Sequence, residues 1–355
     1  MKKIASIFFI FIGLVLLIIS SSKNLMKVIS SKRSNLDGAF GTHRQASGDL
    51  VSMSYLDHVK KFQDKDEEKY FRPAGDTGRR NIDLYIYGDS YLMYIPDSAF
   101  GFINSYHFGR RTYQDLNYHL DPHKKNILII EYSERLTRNE LGKLDIFQHL
   151  KEKEKENTFL SLSSHQVRSA GLVNLSIFSH EINSNLEFNL YGYRFLDQIK
   201  LAKVYLTYGL FKRAVGDVVI SDDGSRLFLR QTLAPKDIAS SYYPVDRKEM
   251  GKMIRNLDSI CNHYKADGFD EVYLSIIPNP VTILQPLHYN NLIPELQKPG
   301  LVPGLRIINI YDLFLLDPDP GRLFPRSDTH WSNQGIQVWL NTVNAELKRQ
   351  NLTLH

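Results

Sequence analysis

The sequence predicts an α/β protein in which helices cover both faces of a parallel β-sheet. Several apolar runs have the length of a strand and no polar alternation, which is typical of strands buried on both faces. Helical apolar patterns lie between and after these runs, and strand–helix alternation favours right-handed crossovers in a doubly wound α/β/α arrangement. The 355 residues, 43% of them hydrophobic, are enough to bury a substantial core.

Four apolar runs are predicted to form the main strands. They are rich in Ile, Leu, Val and Tyr, and they are IDLYIYG (82–88), NILIIEY (126–132), EVYLSIIP (271–278) and LRIINIYDLF (305–314). The shorter run SYHFG (105–109) is predicted to be a fifth strand. Because ligands of open α/β sheets bind at the carboxyl ends of the strands, the residues that follow these runs are candidates for a shared site.

Helices are predicted at three places around these strands. The segments are RRTYQDLNYHL (110–120), DRKEMGKMIRNLDSICNHYKA (246–266) and NQGIQVWLNTVNAELKRQ (333–350). In the second segment Cys261 lies on the apolar face, so we expect a buried structural thiol there. The last segment places four apolar side chains on one face, those of Ile336, Trp339, Leu340 and Val343.

The first residues resemble a targeting signal. Two lysines precede an uncharged, mostly apolar run over residues 4–20, which is longer than the apolar region of most signal peptides. No small-x-small cleavage site follows, so residues 1–22 are predicted to form an uncleaved signal anchor, with a cleaved signal peptide as the alternative. Residues 23–80 have weak periodicity and are predicted to be a stalk and an entry segment. This organisation predicts a single-pass membrane protein with an extracytoplasmic domain, periplasmic or at the cell surface.

Residues 81–355 are predicted to form the α/β domain, with an insertion at about residues 140–245. The insertion is too long for one crossover. It contains the amphipathic stretch YRFLDQIKLAKVYLTYGLF (193–211) and the polar turn SDDGSR (221–226). We expect the insertion to act as a cap over the active face.

Composition and spacing disfavour several classes of function. The net charge is only +5 and the basic residues are dispersed, so nucleic-acid binding is not expected. Cys261 is the only cysteine, which rules out an intrachain disulfide and a thiolate metal cluster. The 12 histidines include no H-E-x-x-H or H-x-H spacing, and no Gly-rich loop follows a strand. A metallohydrolase and a nucleotide-binding protein are therefore disfavoured.

Two short motifs carry candidate chemistry. YGDSY (87–91) follows the first strand directly, so Ser90 is expected at a helix N-terminus whose backbone N–H groups would stabilise an oxyanion. SDTHWSNQG (327–335) precedes the last helix and separates Asp328 from His330 by one residue. Taken singly, the three side chains are explained as an N-cap, a helix cap and a structural histidine. Taken together, they supply a nucleophile, an orienting carboxylate and a base.

With YGDSY after the first strand and SDTHWSNQG before the last helix, the chain resembles the SGNH (GDSL-like) hydrolase superfamily. The Asp-x-His-Trp form and ILIIEYSERL (127–136) are similar to its membrane-associated polysaccharide O-acetyltransferase branch, typified by the alginate acetylation proteins. The resemblance covers roughly residues 80–140 and 265–350. It implies a flavodoxin-like three-layer fold, acyl transfer through a serine ester, and no metal or cofactor.

The resemblance also implies roles for individual residues. Ser90 would be the nucleophile, His330 the general base and Asp328 its orienting partner. The oxyanion hole would combine the Ser90 N–H with that of Gly109 in HFGRRT, for which a plain turn glycine is the alternative. Asn279 in IIPNP is a candidate substitute for the oxyanion Asn of the family, with an ordinary turn residue as the alternative.

Three further residues are expected to bind substrate. Tyr91 and Trp331 flank the motifs and would stack on sugar rings, although packing at the rim of the sheet also explains them. Arg135 is the third, within the strand-end Glu-Arg pattern.

The chain departs from the family pattern in three ways. Ser133, Glu134 and Arg135 occupy the place where the third-block Asn is expected. One residue separates the Asp from the His, where the family commonly has two. The serine precedes the Asp-His motif, as in ordinary SGNH hydrolases, whereas the alginate acetylation proteins have the reverse order. The order of the motifs leaves the substrate open.

The sequence thus predicts an extracytoplasmic serine O-acyltransferase, transferring acetyl groups on a cell-surface or exported polysaccharide. Its expected partners are the polysaccharide, an acetyl donor and a membrane-embedded acyltransferase that would deliver the acyl group. One alternative is a carbohydrate O-acetyl esterase with the same three residues. The other is a non-catalytic accessory protein of a polysaccharide export or acetylation complex.

Overall fold

The computed structural model describes residues 2–21, 48–56, 59–63, 81–111, 114–153 and 197–352. The chain divides into two compact units, one made of residues 1–46 and 156–212 and the other of residues 47–155 and 213–355. In the first unit the described elements are two helices, α1 (Lys2–Ser21) and α5 (Asp197–Phe211).

The predicted membrane anchor is not supported by the described residues, among which no helix combines the length and the apolar character needed to cross a bilayer. Most of the predicted stalk, and residues 154–196 of the predicted insertion, lie outside the described residues.

The second unit is built on a parallel sheet of five strands with helices packed around it. The sheet strands are β1 (Ile82–Gly88), β2 (Ile103–Arg110), β4 (Lys125–Ser133), β8 (Glu271–Ile277) and β9 (Leu305–Ile307). Their order in the sheet is β2-β1-β4-β8-β9, and every neighbouring pair is parallel. Two small additional sheets pair β3 (Leu116–Tyr118) with β5 (Leu150–Glu152), and β6 (Val218–Ile220) with β7 (Leu227–Leu229).

The helices of the second unit differ in length. The remaining α-helices are α2 (Asp49–Ser54), α3 (Glu134–Leu141), α4 (Ile146–His149), α6 (Arg247–Ala266), α7 (Pro280–Leu284), α8 (Leu292–Leu296), α9 (Tyr311–Leu315) and α10 (Asn333–Leu352). Short 3-10 helices add Lys60–Phe62, Asp97–Ala99, Arg230–Thr232 and Pro320–Leu323.

Strand β1 is completely buried and lies between β2 and β4. The order of the strands reverses here, because the chain moves from β1 to β2 on one side and then returns to β4 on the other. In open α/β sheets, ligands bind at the carboxyl ends of the strands next to such a reversal. The residues that follow β1 and β4 therefore occupy the position where a site is expected.

The two long helices confirm the sequence-based prediction. In α6, the carboxylate of Asp246 accepts a hydrogen bond from the backbone N–H of Glu249 at 2.7 Å, which caps the helix. Cys261 is buried on the inner face, and burial raises the pKa of its thiol. In α10, the indole N–H of Trp339 donates to the hydroxyl of Ser275 on β8 at 3.0 Å, so the last helix is fixed directly to the sheet.

Two secondary-structure predictions were wrong. The segment predicted as a helix over 110–120 contains strand β3, which pairs with β5. The apolar run 305–314 is a strand only over its first three residues, and α9 begins at Tyr311. An apolar run without alternation fits a buried helix as well as a buried strand, so the pattern alone could not separate the two.

Residues 213–245, the last part of the predicted insertion, belong to the second unit. The predicted polar turn over residues 221–226 joins β6 to β7. The backbone N–H of Leu227 donates to the carbonyl of Arg326 at 2.8 Å, and the guanidinium of Arg226 donates to the carbonyl of Phe324 at 3.0 Å. This hairpin therefore supports the segment that leads into the Asp-x-His motif.

Candidate active site

Ser90 lies directly beyond the carboxyl end of β1, in a turn over residues 90–94. The turn replaces the predicted helix N-terminus. The carboxylate of Asp89 accepts a hydrogen bond from the backbone N–H of Tyr91 at 2.9 Å, so the side chain stabilises the turn. The Ser90 N–H has no hydrogen-bond partner among the described residues, which leaves it available to an oxyanion.

Gly88 is required at the exit of β1 by the close approach of Glu131 from β4. A Cβ atom at position 88 would lie 2.6 Å from Oε2 of Glu131. The same oxygen accepts a hydrogen bond from the backbone N–H of Asp89 at 2.7 Å. Burial, and then the charge of Asp89, raise the pKa of Glu131 well above its ordinary value. The Glu131 carboxyl group thus anchors the backbone just before the candidate nucleophile.

Asp328 and His330 lie in the loop before α10, and the loop is closed by local hydrogen bonds. The backbone N–H of His330 donates to Oδ1 of Asp328 at 2.8 Å. The hydroxyl of Ser332 accepts from the N–H of Gly335 at 3.3 Å, and the Ser332 carbonyl accepts from the N–H of Ile336 at 3.0 Å. Ser332 therefore caps the N-terminus of α10, which begins at Asn333.

The structure brings the three predicted catalytic side chains together. Oγ of Ser90 lies 2.8 Å from Nε2 of His330, across 240 positions of the chain. Nδ1 of the same imidazole lies 2.7 Å from Oδ1 of Asp328. The side chains of His330 and Asp328 are 27% and 26% exposed, so the group is accessible from solvent. These distances are those of a nucleophile, a base and an orienting carboxylate.

The hydrogen bond to Asp328 determines which imidazole nitrogen carries the proton. A carboxylate only accepts, so Nδ1 must donate its proton to Oδ1. Nε2 of the neutral ring is then an acceptor for the Ser90 hydroxyl. Burial would raise the pKa of Asp328, but the hydrogen bond and the charge of His330 lower it below the ordinary value. The carboxylate therefore stays ionised in mild acid.

Tyr91 and Trp331 join the two loops of the site. The Tyr91 hydroxyl donates to the carbonyl of Thr329 at 2.5 Å, and the indole N–H of Trp331 donates to the carbonyl of Tyr91 at 3.2 Å. Their rings are only 2% and 3% exposed. Rings that are so deeply buried cannot stack on sugars, so the structure corrects that expectation. Both rings instead pack against neighbouring side chains, in line with the alternative of packing at the rim of the sheet.

Arg135 lies beside this aromatic pair, near the start of α3. Its Nη1 donates to the hydroxyl of Tyr91 at 3.4 Å, and its guanidinium carbon lies 5.6 Å from the centre of the Tyr91 ring. The side chain is partly exposed. Its predicted contact with substrate stays a prediction.

The two other candidates for the oxyanion hole have different surroundings. Gly109 pairs with Tyr87 in the β1–β2 ladder, and a Cβ atom there would lie 2.5 Å from the Cβ atom of Leu116. Packing thus explains the glycine, and its role at an oxyanion stays a prediction. The backbone N–H of Asn279 donates to Glu134 at 2.8 Å, and its amide donates to Ser241 at 3.1 Å. These contacts place Asn279 in a buried polar cluster.

Sequence reasoning missed Asp49, which contacts the Asp-x-His loop from the start of α2. Its Oδ1 accepts a hydrogen bond from the backbone N–H of Thr329 at 2.8 Å, and its Oδ2 accepts from the Thr329 hydroxyl. Oδ2 also lies 3.8 Å from Nδ1 of His330. The available signal was the apolar stretch DLVSMS in a segment of otherwise weak periodicity. That stretch could not indicate a contact 280 positions away.

Asp49, Asp328 and His330 each place one potential metal-ligand atom within 4.8 Å of the others. Carboxylates and imidazoles are ligands of several divalent cations. In this group Nδ1 of His330 already bonds Asp328 and Nε2 faces Ser90. Hydrogen bonding among the three residues and Ser90 therefore accounts for the cluster, and a chelator is a useful control in tests of activity.

Comparison with known proteins adds no assignment, since no protein-family model, curated protein or solved structure matches this chain.

Proposed function

We propose that this protein is a serine-dependent acyl-transfer enzyme, with Ser90 as the nucleophile. The observation that carries the proposal is the continuous hydrogen-bonded series from Oγ of Ser90 through His330 to Asp328. The position of Ser90 after β1, where the strand order reverses, supports it. The five-strand order has the form 2-1-3-4-5, the flavodoxin-like order that the resemblance to SGNH hydrolases implies.

In this mechanism His330 removes the proton from Ser90 through Nε2 while the serine oxygen attacks an acyl carbonyl. The positive imidazolium is stabilised by Asp328, and the Ser90 N–H donates to the tetrahedral oxyanion. Collapse of this intermediate expels the leaving alcohol, which takes the proton from His330, and leaves an acyl-serine. A second hydroxyl compound, activated by His330, then attacks the ester and restores the free serine.

The finer assignment is O-acetyl transfer to a polysaccharide hydroxyl. It is supported by the Asp-x-His-Trp motif and the strand-end Glu-Arg pattern of the polysaccharide O-acetyltransferase branch. The exposure of His330 favours the second candidate, a carbohydrate O-acetyl esterase, because water has access to the base. Release of acetate from p-nitrophenyl acetate, measured with and without an acetyl-accepting oligosaccharide, separates the two. Transfer predicts acetylated oligosaccharide, whereas an esterase produces acetate alone.

A fluorophosphonate probe tests the proposal on the full-length chain. We expect peptide mapping to find the label on Ser90, and the label to be lost in Ser90→Ala and strongly reduced in His330→Ala. Ser98→Ala removes an exposed serine from the nearby 3-10 helix and should label like the wild type. Pre-treatment with EDTA should also leave the labelling unchanged. Labelling that persists in Ser90→Ala would refute the assignment and favour the non-catalytic accessory role.

The extracytoplasmic location, which depends on the N-terminal sequence alone, is part of the proposal, and so is the membrane-embedded acyl-delivering partner that the family resemblance implies. A fusion of the C-terminus to a phosphatase that is active only outside the cytoplasm tests the location. An inactive fusion at normal expression would remove both the location and the partner from the proposal.

A further inference from the structure

We propose that Asp49 is a positioning residue of the active site, which holds the loop of Asp328 and His330 in register with Ser90. The inference rests on the proposed function and deepens it. It assigns a role in the site to residues 48–51, which lie in the segment that the sequence predicted to be only a stalk and an entry segment.

Asp49 binds Thr329, the residue between the orienting carboxylate of Asp328 and the base His330. Both polar hydrogens of Thr329, on the backbone nitrogen and on the hydroxyl, are donated to the Asp49 carboxylate. Thr329 is held on its other side by the Tyr91 hydroxyl, which donates to the Thr329 carbonyl at 2.5 Å. The loop is thereby fixed between Asp49 and the turn that carries the nucleophile.

Asp49 also contacts Oδ2 of Asp328, the carboxylate oxygen that is not hydrogen-bonded to the imidazole. The backbone N–H of Asp49 donates to Oδ2 of Asp328 at 3.2 Å, while Oδ1 faces Nδ1 of His330 at 2.7 Å. With each oxygen held by a different donor, the carboxylate cannot rotate without breaking one of these bonds. Such support of an orienting group maintains the geometry that acyl transfer requires.

The backbone at the start of α2 fits closely against the loop that leads into Asp328. The N–H groups of Leu50 and Val51 point to the carbonyl of Ser327 at 3.0 and 3.4 Å. Gly48 has φ +88°, and a Cβ atom there would lie 2.5 Å from the Ser327 carbonyl oxygen. The left-handed backbone and the close approach both require glycine. Residues 48–51 are therefore shaped to fit the loop that precedes Asp328.

The charges around Asp49 explain why the choice of side chain matters. Burial, and then the neighbouring Asp328 carboxylate, raise the pKa of Asp49, while the Thr329 hydrogen bonds and His330 oppose this. Among the described residues, the guanidinium of Arg135 also interacts with the charge of Asp49. When ionised, Asp49 adds negative charge 3.8 Å from Nδ1 of His330 and favours the imidazolium that forms during acyl transfer.

Four variants of the full-length chain test this role. Asp49→Ala removes the contact, Asp49→Asn keeps an acceptor for the Thr329 N–H but removes the charge, and Thr329→Val removes only the hydroxyl. Asp246→Asn is the matched control, because Asp246 also binds a backbone N–H but caps α6. The readouts are kcat and KM for p-nitrophenyl acetate and the rate of fluorophosphonate labelling at Ser90.

We expect Asp49→Ala to lose on the order of 100-fold in kcat with KM little changed, since a misplacement of about 1 Å can have this effect. Asp49→Asn and Thr329→Val should be intermediate, and Asp246→Asn should match the wild type. A purely structural role predicts a lower melting temperature but normal kcat and a normal labelling rate below that temperature, and this result would overturn the inference.

Amide hydrogen exchange measured by NMR keeps this test independent of the proposed function. If the wild type neither labels at Ser90 nor hydrolyses the ester, the proposed function fails, but the effect of Asp49 on the loop is still measurable. We expect the backbone N–H groups of Thr329 and His330 to exchange faster in Asp49→Ala than in the wild type and in Asp246→Asn, because the Thr329 N–H has lost its acceptor. Equal exchange rates in the three proteins would overturn the inference.

Discussion

At the scale of single residues, the position of one proton on His330 determines what Ser90 can do. The proton sits on Nδ1 because Asp328 accepts it, and this leaves Nε2 free to accept the serine hydroxyl. Asp328 is itself held by the backbone N–H groups of His330 and Asp49. The orientation of the carboxylate is therefore as important as its charge.

Asp328→Asn tests this dependence with little change of shape. An amide at this position favours the tautomer with the proton on Nε2, which cannot accept from Ser90. We expect kcat for p-nitrophenyl acetate to fall by about 10³–10⁴-fold with a smaller change in KM. Asp223→Asn in the β6–β7 turn is the control for loss of an aspartate, since among the described residues the Asp223 carboxylate accepts hydrogen bonds only from its own turn. A variant that keeps most of the wild-type kcat would show that Asp328 does not orient the base.

At the scale of elements, buried polar groups join the ends of neighbouring strands to the segments that follow them. Glu134 is the first residue of α3, after β4, and its Oε2 accepts hydrogen bonds from the backbone of Asn279 and the hydroxyl of Thr282, after β8. These contacts connect the start of α3 with the start of α7. Burial raises the pKa of Glu134 to about 7, although its hydrogen bonds oppose the shift.

This shift predicts a pH-dependent stability that Glu134→Gln should reduce. Because the folded-state pKa of about 7 lies above the ordinary value of 4.5, the contribution is complete below pH 4.5 and is lost as the pH rises through 7. The loss is at most about 3 kcal/mol in the free energy of unfolding. A glutamine can keep its oxygen at the Oε2 position, so both hydrogen bonds are retained.

Urea unfolding at acidic and at mildly alkaline pH measures the effect. The wild type should lose more stability between the two conditions than Glu134→Gln does, and Glu295→Gln, which removes an exposed carboxylate paired with Lys298, should behave like the wild type. Glu131 has a raised pKa in all three proteins, so its contribution cancels in the comparison. Equal pH dependence in the wild type and Glu134→Gln would show that Glu134 does not titrate as proposed here.

At the scale of the whole molecule, the site joins three segments that are far apart in the chain. The turn of Ser90, the loop of His330 and the start of α2 are linked by hydrogen bonds that span between 238 and 280 positions. The β6–β7 hairpin supports the same loop from its N-terminal side. Assembly of the site is therefore expected to depend on the complete second unit.

Tyr91→Phe tests the link between the turn and the loop. It removes the hydroxyl that donates to the Thr329 carbonyl and leaves a buried acceptor without this partner. We expect a loss of about 1–2 kcal/mol in the free energy of unfolding, together with slower labelling of Ser90. Tyr94→Phe, in the same turn but with a 59% exposed ring, is the matched control and should have little effect. Unchanged stability and labelling in Tyr91→Phe would mean that the two loops are held by other contacts.

The success of sequence-based prediction differed between parts of the molecule for physical reasons. Strand β1 was predicted with its observed bounds, because a fully buried strand has a continuous apolar run that ends sharply at Gly88. The helix at 247–266 was recognisable from its apolar face. The run at 305–314 was misassigned, because a short apolar run without strict alternation carries no period that separates a helix from a strand.

The sequence by itself determined the α/β class, the long helices and the identity of Ser90, Asp328 and His330 as candidates, because these depend on local periodicity and on short motifs. Only the tertiary structure decided that the three side chains meet at 2.8 and 2.7 Å, that Tyr91 and Trp331 pack inside the site, and that Asp49 belongs to it. Contacts between residues hundreds of positions apart leave no pattern in either local segment. They arise when burial of the apolar strands and helices brings the ends of those segments together.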